Sequence, residues 1–172
     1  MKSDIRQKLR EALNIPSFRL PQKVDISDEE RTKIQNVRWN NLGLEDLGGQ
    51  GNIAYIKVIF PFETAANNGG VVVDLQVLNN TIFQPHIHMV DNLQGLGIGY
   101  KVYQKVISEF GHLYSGKGRR MNPRITSIWE KLKKGGEFDC MSNQNGDMCM
   151  VKGHSDAQPL IDFMGGTPPH QE

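Results

Sequence analysis

Gln94-Gly95-Leu96-Gly97-Ile98-Gly99 stands between a β-forming run and a strongly amphipathic helix, and the reading of the whole chain starts from it. Upstream, Ile82 to Val90 has the composition of a strand. Downstream, Ile98, Val102, Tyr103, Val106, Ile107 and Phe110 recur at helical spacing, which predicts a helix with one broad buried face that Gly111 stops. Glycines at such a junction let the backbone turn tightly, so that successive N–H groups converge on one point. With the positive end of the helix dipole, they form a site for a phosphate or pyrophosphate. A Gly-rich helix start packed against a neighbour has the same pattern, and the residues alone leave both open.

Working outward, Ile53–Phe60 and Val71–Leu78 are further β-rich runs, separated by a turn at Thr64–Gly70. Asn79-Asn80 turns the chain into the third strand, in which Pro85 marks a bulge. The three form an antiparallel meander. Past the helix, His112–Ser115 connects to a basic loop, Gly116-Lys117-Gly118-Arg119-Arg120. Asn122 caps a second helix with Pro123 first inside it and Ile125, Ile128, Trp129 and Leu132 as its apolar stripe. Gly135-Gly136 ends that helix. Phe138–Met141 and Met148–Val151 then flank Asn145-Gly146, a hairpin signal. At the other end, Ser3–Asn14 predicts a helix. Ser27-Asp28-Glu29-Glu30 fits a capping box that opens another.

The 172 residues suit one domain with a core and an arm, and 23% charged residues at a net charge of +1 argue against a dedicated nucleic-acid face. No apolar run approaches the ~20 residues that span a bilayer. The start carries charge without an apolar stretch behind it, so the cytoplasm is the expected compartment. The composition is compatible with a monomer or a homodimer.

The glycine loop resembles the hallmark of the GCN5-related N-acetyltransferase family: Gln or Arg, two residues, Gly, one residue, then Gly or Ala. Gln94, Gly97 and Gly99 fill those places, after Met89-Val90-Asp91-Asn92-Leu93, which is similar to the end of that family's fourth strand. Asn122 to Leu132 is similar to its next helix, and the resemblance covers about residues 50–152 by content. It implies an α/β fold with a mixed, mostly antiparallel twisted sheet flanked by helices. On this reading, residues 1–48 form a helical N-terminal extension, 49–153 the acyl-coenzyme-A-binding domain, and 154–172 a loosely ordered tail. It also implies transfer of an acyl group, most simply acetyl from acetyl-CoA, to an amine on a small molecule or protein. A protein that keeps the fold and binds without chemistry is the alternative.

In that family a parallel strand pair splays and the thioester lies in the gap. The implied cofactor-binding residues are therefore Met89, Val90, Gln94, Gly95, Leu96, Gly97, Ile98, Gly99 and Asn122. Amides of Leu96–Gly99 would hold the pyrophosphate, and Met89-Val90 would pair with the pantetheine arm. Where many members carry a Tyr as general acid, this chain has Trp129, whose indole N–H donates a hydrogen bond but keeps its proton. Tyr114, Ser127 or a water would then protonate the leaving thiolate. The acceptor would be chosen by Thr64–Gly70 and the N-terminal arm.

His86 and His88 alternate on one face of their strand. No third ligand stands at a convincing spacing, so no metal is assigned. A structural histidine and a general base both fit, and His88 is the candidate base. Gly111 to Gly118 nearly spells a nucleotide P-loop, but Gly118 replaces the hydroxyl that would hold magnesium. Lys117, Arg119, Arg120 and Arg124 suit adenosine phosphates, an acidic substrate or plain solvation. Cys140 and Cys149 would face each other across a four-residue hairpin loop, and read as free thiols in a reducing compartment.

Overall fold

A computed structural model describes residues 22–79, 81–116 and 123–153. The predicted helix Ser3–Asn14, the basic loop from Lys117 to Arg120, Asn122 and the tail 154–172 lie outside them. The architecture is α/β, with a mostly antiparallel sheet and flanking helices. The described residues divide into two compact units, one of residues 22–76 and 85–98, the other of 77–84 and 99–153.

In the first unit, helix α1 (Asp28–Asn36) opens on the predicted capping box. Glu30 N–H donates to Ser27 Oγ at 3.1 Å, and Ser27 N–H to Glu30 Oε2 at 2.7 Å. Strands β1 (Gly43–Gln50), β2 (Ile53–Ile59), β3 (Val71–Leu78) and β5 (His86–Met89) follow, paired antiparallel in the order β1-β2-β3-β5. Register sorts the side chains between two faces. Ile56 and Val73 lie opposite on one, and Leu75 shares it; all three are buried. The other face carries Tyr55, Lys57, Asp74, His86 and His88. Strand β1 was not expected, because Gly-Leu-Glu-Asp-Leu-Gly-Gly-Gln lacks β-formers. It is an edge strand, half exposed and bulged between Asp46 and Gly49, held by its partner rather than by its own propensity. The sheet therefore begins at Gly43, inside the stretch expected as a helical extension.

In the second unit, the end of β3 pairs with β4 (Thr81–Ile82). Val77 pairs with Ile82 and Asp74 with His86, three steps along β3 against four on the facing chain, so one extra residue is taken up within Phe83–Pro85, where Pro85 predicted a bulge. Helix α2 spans Ile98–Phe110 and helix α3 Pro123–Gly135, as their periodicity required. Strands β6 (His112–Tyr114), β8 (Gly146–Val151) and β7 (Phe138–Asn143) form a three-stranded antiparallel sheet in the order β6-β8-β7. A parallel bridge joins Phe83 to Tyr114, with Gln84 N–H donating to Tyr114 O at 2.8 Å. β6 has only three residues, too few to show a period, and its segment reads as a connector in sequence.

The hairpin turns one residue earlier than Asn145-Gly146 suggested. Asn143 pairs with Gly146, and Gln144-Asn145 makes the turn. Tyr114 Oη donates to the Asn145 carbonyl at 2.5 Å, which holds the turn against β6. A Cβ on Gly146 would stand 2.7 Å from Ser115 Oγ and 2.8 Å from Gly116 O, so this glycine serves close approach within the sheet. That register sets Cys140 opposite Cys149 with Cα atoms 4.1 Å apart, and the two form a disulfide, correcting the expectation of free thiols. Counting out from the turn makes this a non-hydrogen-bonded pair, the place where facing side chains come closest. Alkylation without reductant is expected to label neither thiol and both after reduction. Reduction should lower stability by about 2 kcal/mol, measured by chemical denaturation.

Candidate functional site

The glycine loop is held from beneath by apolar anchors. A 3-10 turn at Asp91–Leu93 follows β5, and Asn92 clasps the chain before α1: its Nδ2 donates to Val24 O at 2.7 Å and its Oδ1 accepts from Val24 N–H at 3.3 Å. Leu93, Leu96 and Ile98 are buried, whereas Gln94, Gly95 and Gly97 are exposed. Gly95 and Gly97 have φ of +81° and +73°, and a Cβ on either would meet nothing within 4 Å. Backbone conformation, not crowding, is thus what calls for glycine there. Gly99 is half-buried in the first turn of α2, which carries no acidic residue. Lys101 follows in that helix, and burial pushes its ammonium down.

Val90 is buried and its N–H donates to Gly70 O at 3.1 Å, which turns that residue's backbone toward β3. By the alternation of a strand, the N–H and C=O of Met89, paired with Val71, point to the opposite edge of β5. Among the described residues, β3 is the strand that pairs with β5.

His88 is exposed on β5, and its Nε2 lies 3.1 Å from Asp74 Oδ2. Register accounts for the meeting: Asp74 pairs with His86, one position away on the same face, so His88 is its diagonal neighbour. Asp74 Oδ1 is buried and has no hydrogen-bond partner among the described residues. Asp74 was missed in the sequence. Its signal was an acidic residue inside Val-Val-Val-Asp-Leu-Gln-Val-Leu, otherwise a buried strand pattern. No group of three or more His, Cys, Asp or Glu among the described residues is arranged to hold a metal ion.

Tyr114, a candidate acid, and Trp129, which takes the place where a tyrosine acid was expected, both lie in the core of the second unit. Trp129 is 1% exposed, packs edge-on against Tyr103 with ring centroids 6.0 Å apart, and donates its Nε1–H to Gln84 Oε1 at 3.0 Å. Tyr114 is buried, its hydroxyl hydrogen goes to the Asn145 carbonyl, and burial pushes its phenol up. Ser127 and Arg124 are exposed on α3.

The turn expected to choose an acceptor, Thr64–Gly70, borders a cavity of about 610 Å³ lined by Glu30, Glu63, Thr64, Ala65, Asn67 and Asn68. The Glu30 carboxyl is held below the usual range, first by the Ser27 backbone N–H and then by the Ser27 hydroxyl. Asn67 braces the turn, accepting from Phe60 N–H at 2.7 Å and donating to Phe62 O at 3.0 Å.

Among the described residues no helix is long and apolar enough to cross a membrane. Compared with known protein families and with curated proteins, the chain matches no family model and no curated sequence.

Proposed function

We propose that this chain is an acyl-coenzyme-A-dependent N-acyltransferase of the GCN5-related type, moving an acetyl group from acetyl-CoA to an amine. The observation that carries the reading is the glycine loop, where two exposed glycines at positive φ lead directly into a 13-residue helix with no acid in its first turn. Such amides suit a pyrophosphate. The outward N–H and C=O of Met89 suit the amide groups of pantetheine.

The chemistry balances without a cofactor beyond the thioester. His88 takes a proton from the acceptor's ammonium group; the freed amine forms the new C–N bond, and the C–S bond breaks. The nitrogen's second proton and a proton for the thiolate pass through His88 or water, so amide, coenzyme A and one net proton result. The carboxylates of Glu30 and Glu63 suit a cationic acceptor.

A binding protein without turnover is the second reading, and one feature favours it: the Trp129 N–H and the Tyr114 hydroxyl are both committed to buried partners. Titration calorimetry with acetyl-CoA tests the shared premise, with binding expected below millimolar ligand. Release of free thiol across a panel of amines separates the two readings. Thiol release above the no-amine rate establishes transfer; binding without release establishes the second reading, and no binding overturns both.

A further inference from the structure

We infer that Asp74 is a positioning residue that fixes the ring and tautomer of His88, the base proposed above. The inference rests on the acyl-transfer reading for its role in turnover, but its geometry stands apart from that reading. Asp74 Oδ2 is 3.1 Å from His88 Nε2, and a carboxylate accepts only, so the neutral ring must carry its hydrogen on Nε2. Nδ1 then holds the lone pair.

The other carboxylate oxygen strengthens the case. Oδ1 is buried with no donor among the described residues, so the contact that Oδ2 makes with His88 is the one that orients this carboxylate. A buried acceptor left this way destabilises the fold. Moving a proton onto Nδ1 makes the ring an imidazolium, which strengthens the contact to Oδ2 and offsets that cost as the base does its work. β-Sheet register holds both groups, because Asp74 sits directly between Tyr55 on β2 and His86 on β5. On the same face, Lys57 lies across Val72 from His88, and Glu45 on β1 holds Lys57 at 3.4 Å. Asp74 is thus the carboxylate in contact with the ring, while the charge of Lys57 is already matched.

Asp74→Asn keeps the shape and replaces the obligatory acceptor with an amide that can donate to Nε2. Long-range 15N–1H spectra of the histidine rings, taken at a pH where His88 is neutral, are expected to show Nε2–H in the parent. In Asp74→Asn the hydrogen should move toward Nδ1. kcat should fall about tenfold or more, within the span of general-base effects, with the affinity for acetyl-CoA unchanged. In a His88→Ala background the Asp74→Asn change should add nothing further. A ring tautomer that Asp74→Asn leaves unchanged overturns the inference even where turnover is seen. A parent that binds acetyl-CoA and releases no thiol instead overturns the acyl-transfer reading, and the tautomer comparison still decides whether Asp74 sets the ring.

Discussion

Gly97→Glu is expected to weaken acetyl-CoA binding by more than 100-fold, about 3 kcal/mol, in a protein that still folds. Two facts separate the effect on binding from the effect on folding. The φ of +73° costs an L-residue about 1–2 kcal/mol, which is felt as a modest loss of stability. Yet a Cβ there meets nothing within 4 Å, so the new side chain has room and the fold need not rearrange. What the substitution adds is a negative charge at the loop whose amides are proposed to face the pyrophosphate. Gly97→Ala supplies the backbone strain without the charge and should lose tenfold or less. Calorimetry on the three proteins, with circular dichroism as the folding control, reads both quantities. Binding that survives Gly97→Glu would place the coenzyme elsewhere.

Trp129→Ala should cost about 3–5 kcal/mol of stability, the range for deleting a buried aromatic, and lower the melting temperature by about 10 °C. The indole is closed in by Tyr103 and tied to Gln84, so its removal leaves a cavity and an orphaned Gln84 oxygen together. Trp129→Phe divides these losses, because it fills most of the space and leaves only the Gln84 Oε1 unpaired, about 1–3 kcal/mol. Thermal denaturation of the two variants gives the split. Trp129→Phe should also keep whatever thiol release the parent shows, since the indole N–H is committed to Gln84. A loss of turnover without a loss of stability would instead put Trp129 at the chemistry.

The difference between Trp129 and His88 shows what each kind of information carries. Trp129 takes the place where a tyrosine acid was expected and was set aside because its indole keeps its proton, whereas His88 was the candidate base. The helical stripe of Ile125, Ile128, Trp129 and Leu132 already said that the indole faces inward, and the structure agrees, with Trp129 and Leu132 fully buried. For His88, alternation gave a face but no partner. Its meeting with Asp74, fourteen residues earlier, depends on how β3 and β5 are registered. A slip of one residue would send Asp74 to the other face.

Local patterns determined the elements from sequence alone. The glycine loop, helices α2 and α3, strands β2 and β3, the capping box of α1 and the bulge before β5 each write their signal within a few neighbouring residues. Turn geometry, helical period and β-propensity are short-range properties, so they are legible without the fold. The tertiary structure decided the pairings. The edge strand β1 and the short β6 exist because partners complete their hydrogen bonds. A tyrosine hydroxyl 31 residues away is bonded to the hairpin turn, and the register brings Cys140 to Cys149. Asp74 meets His88, and Trp129 meets Gln84, for the same reason. Which side chains touch across a sheet or between elements depends on contacts between residues far apart in the chain, and no local pattern records those.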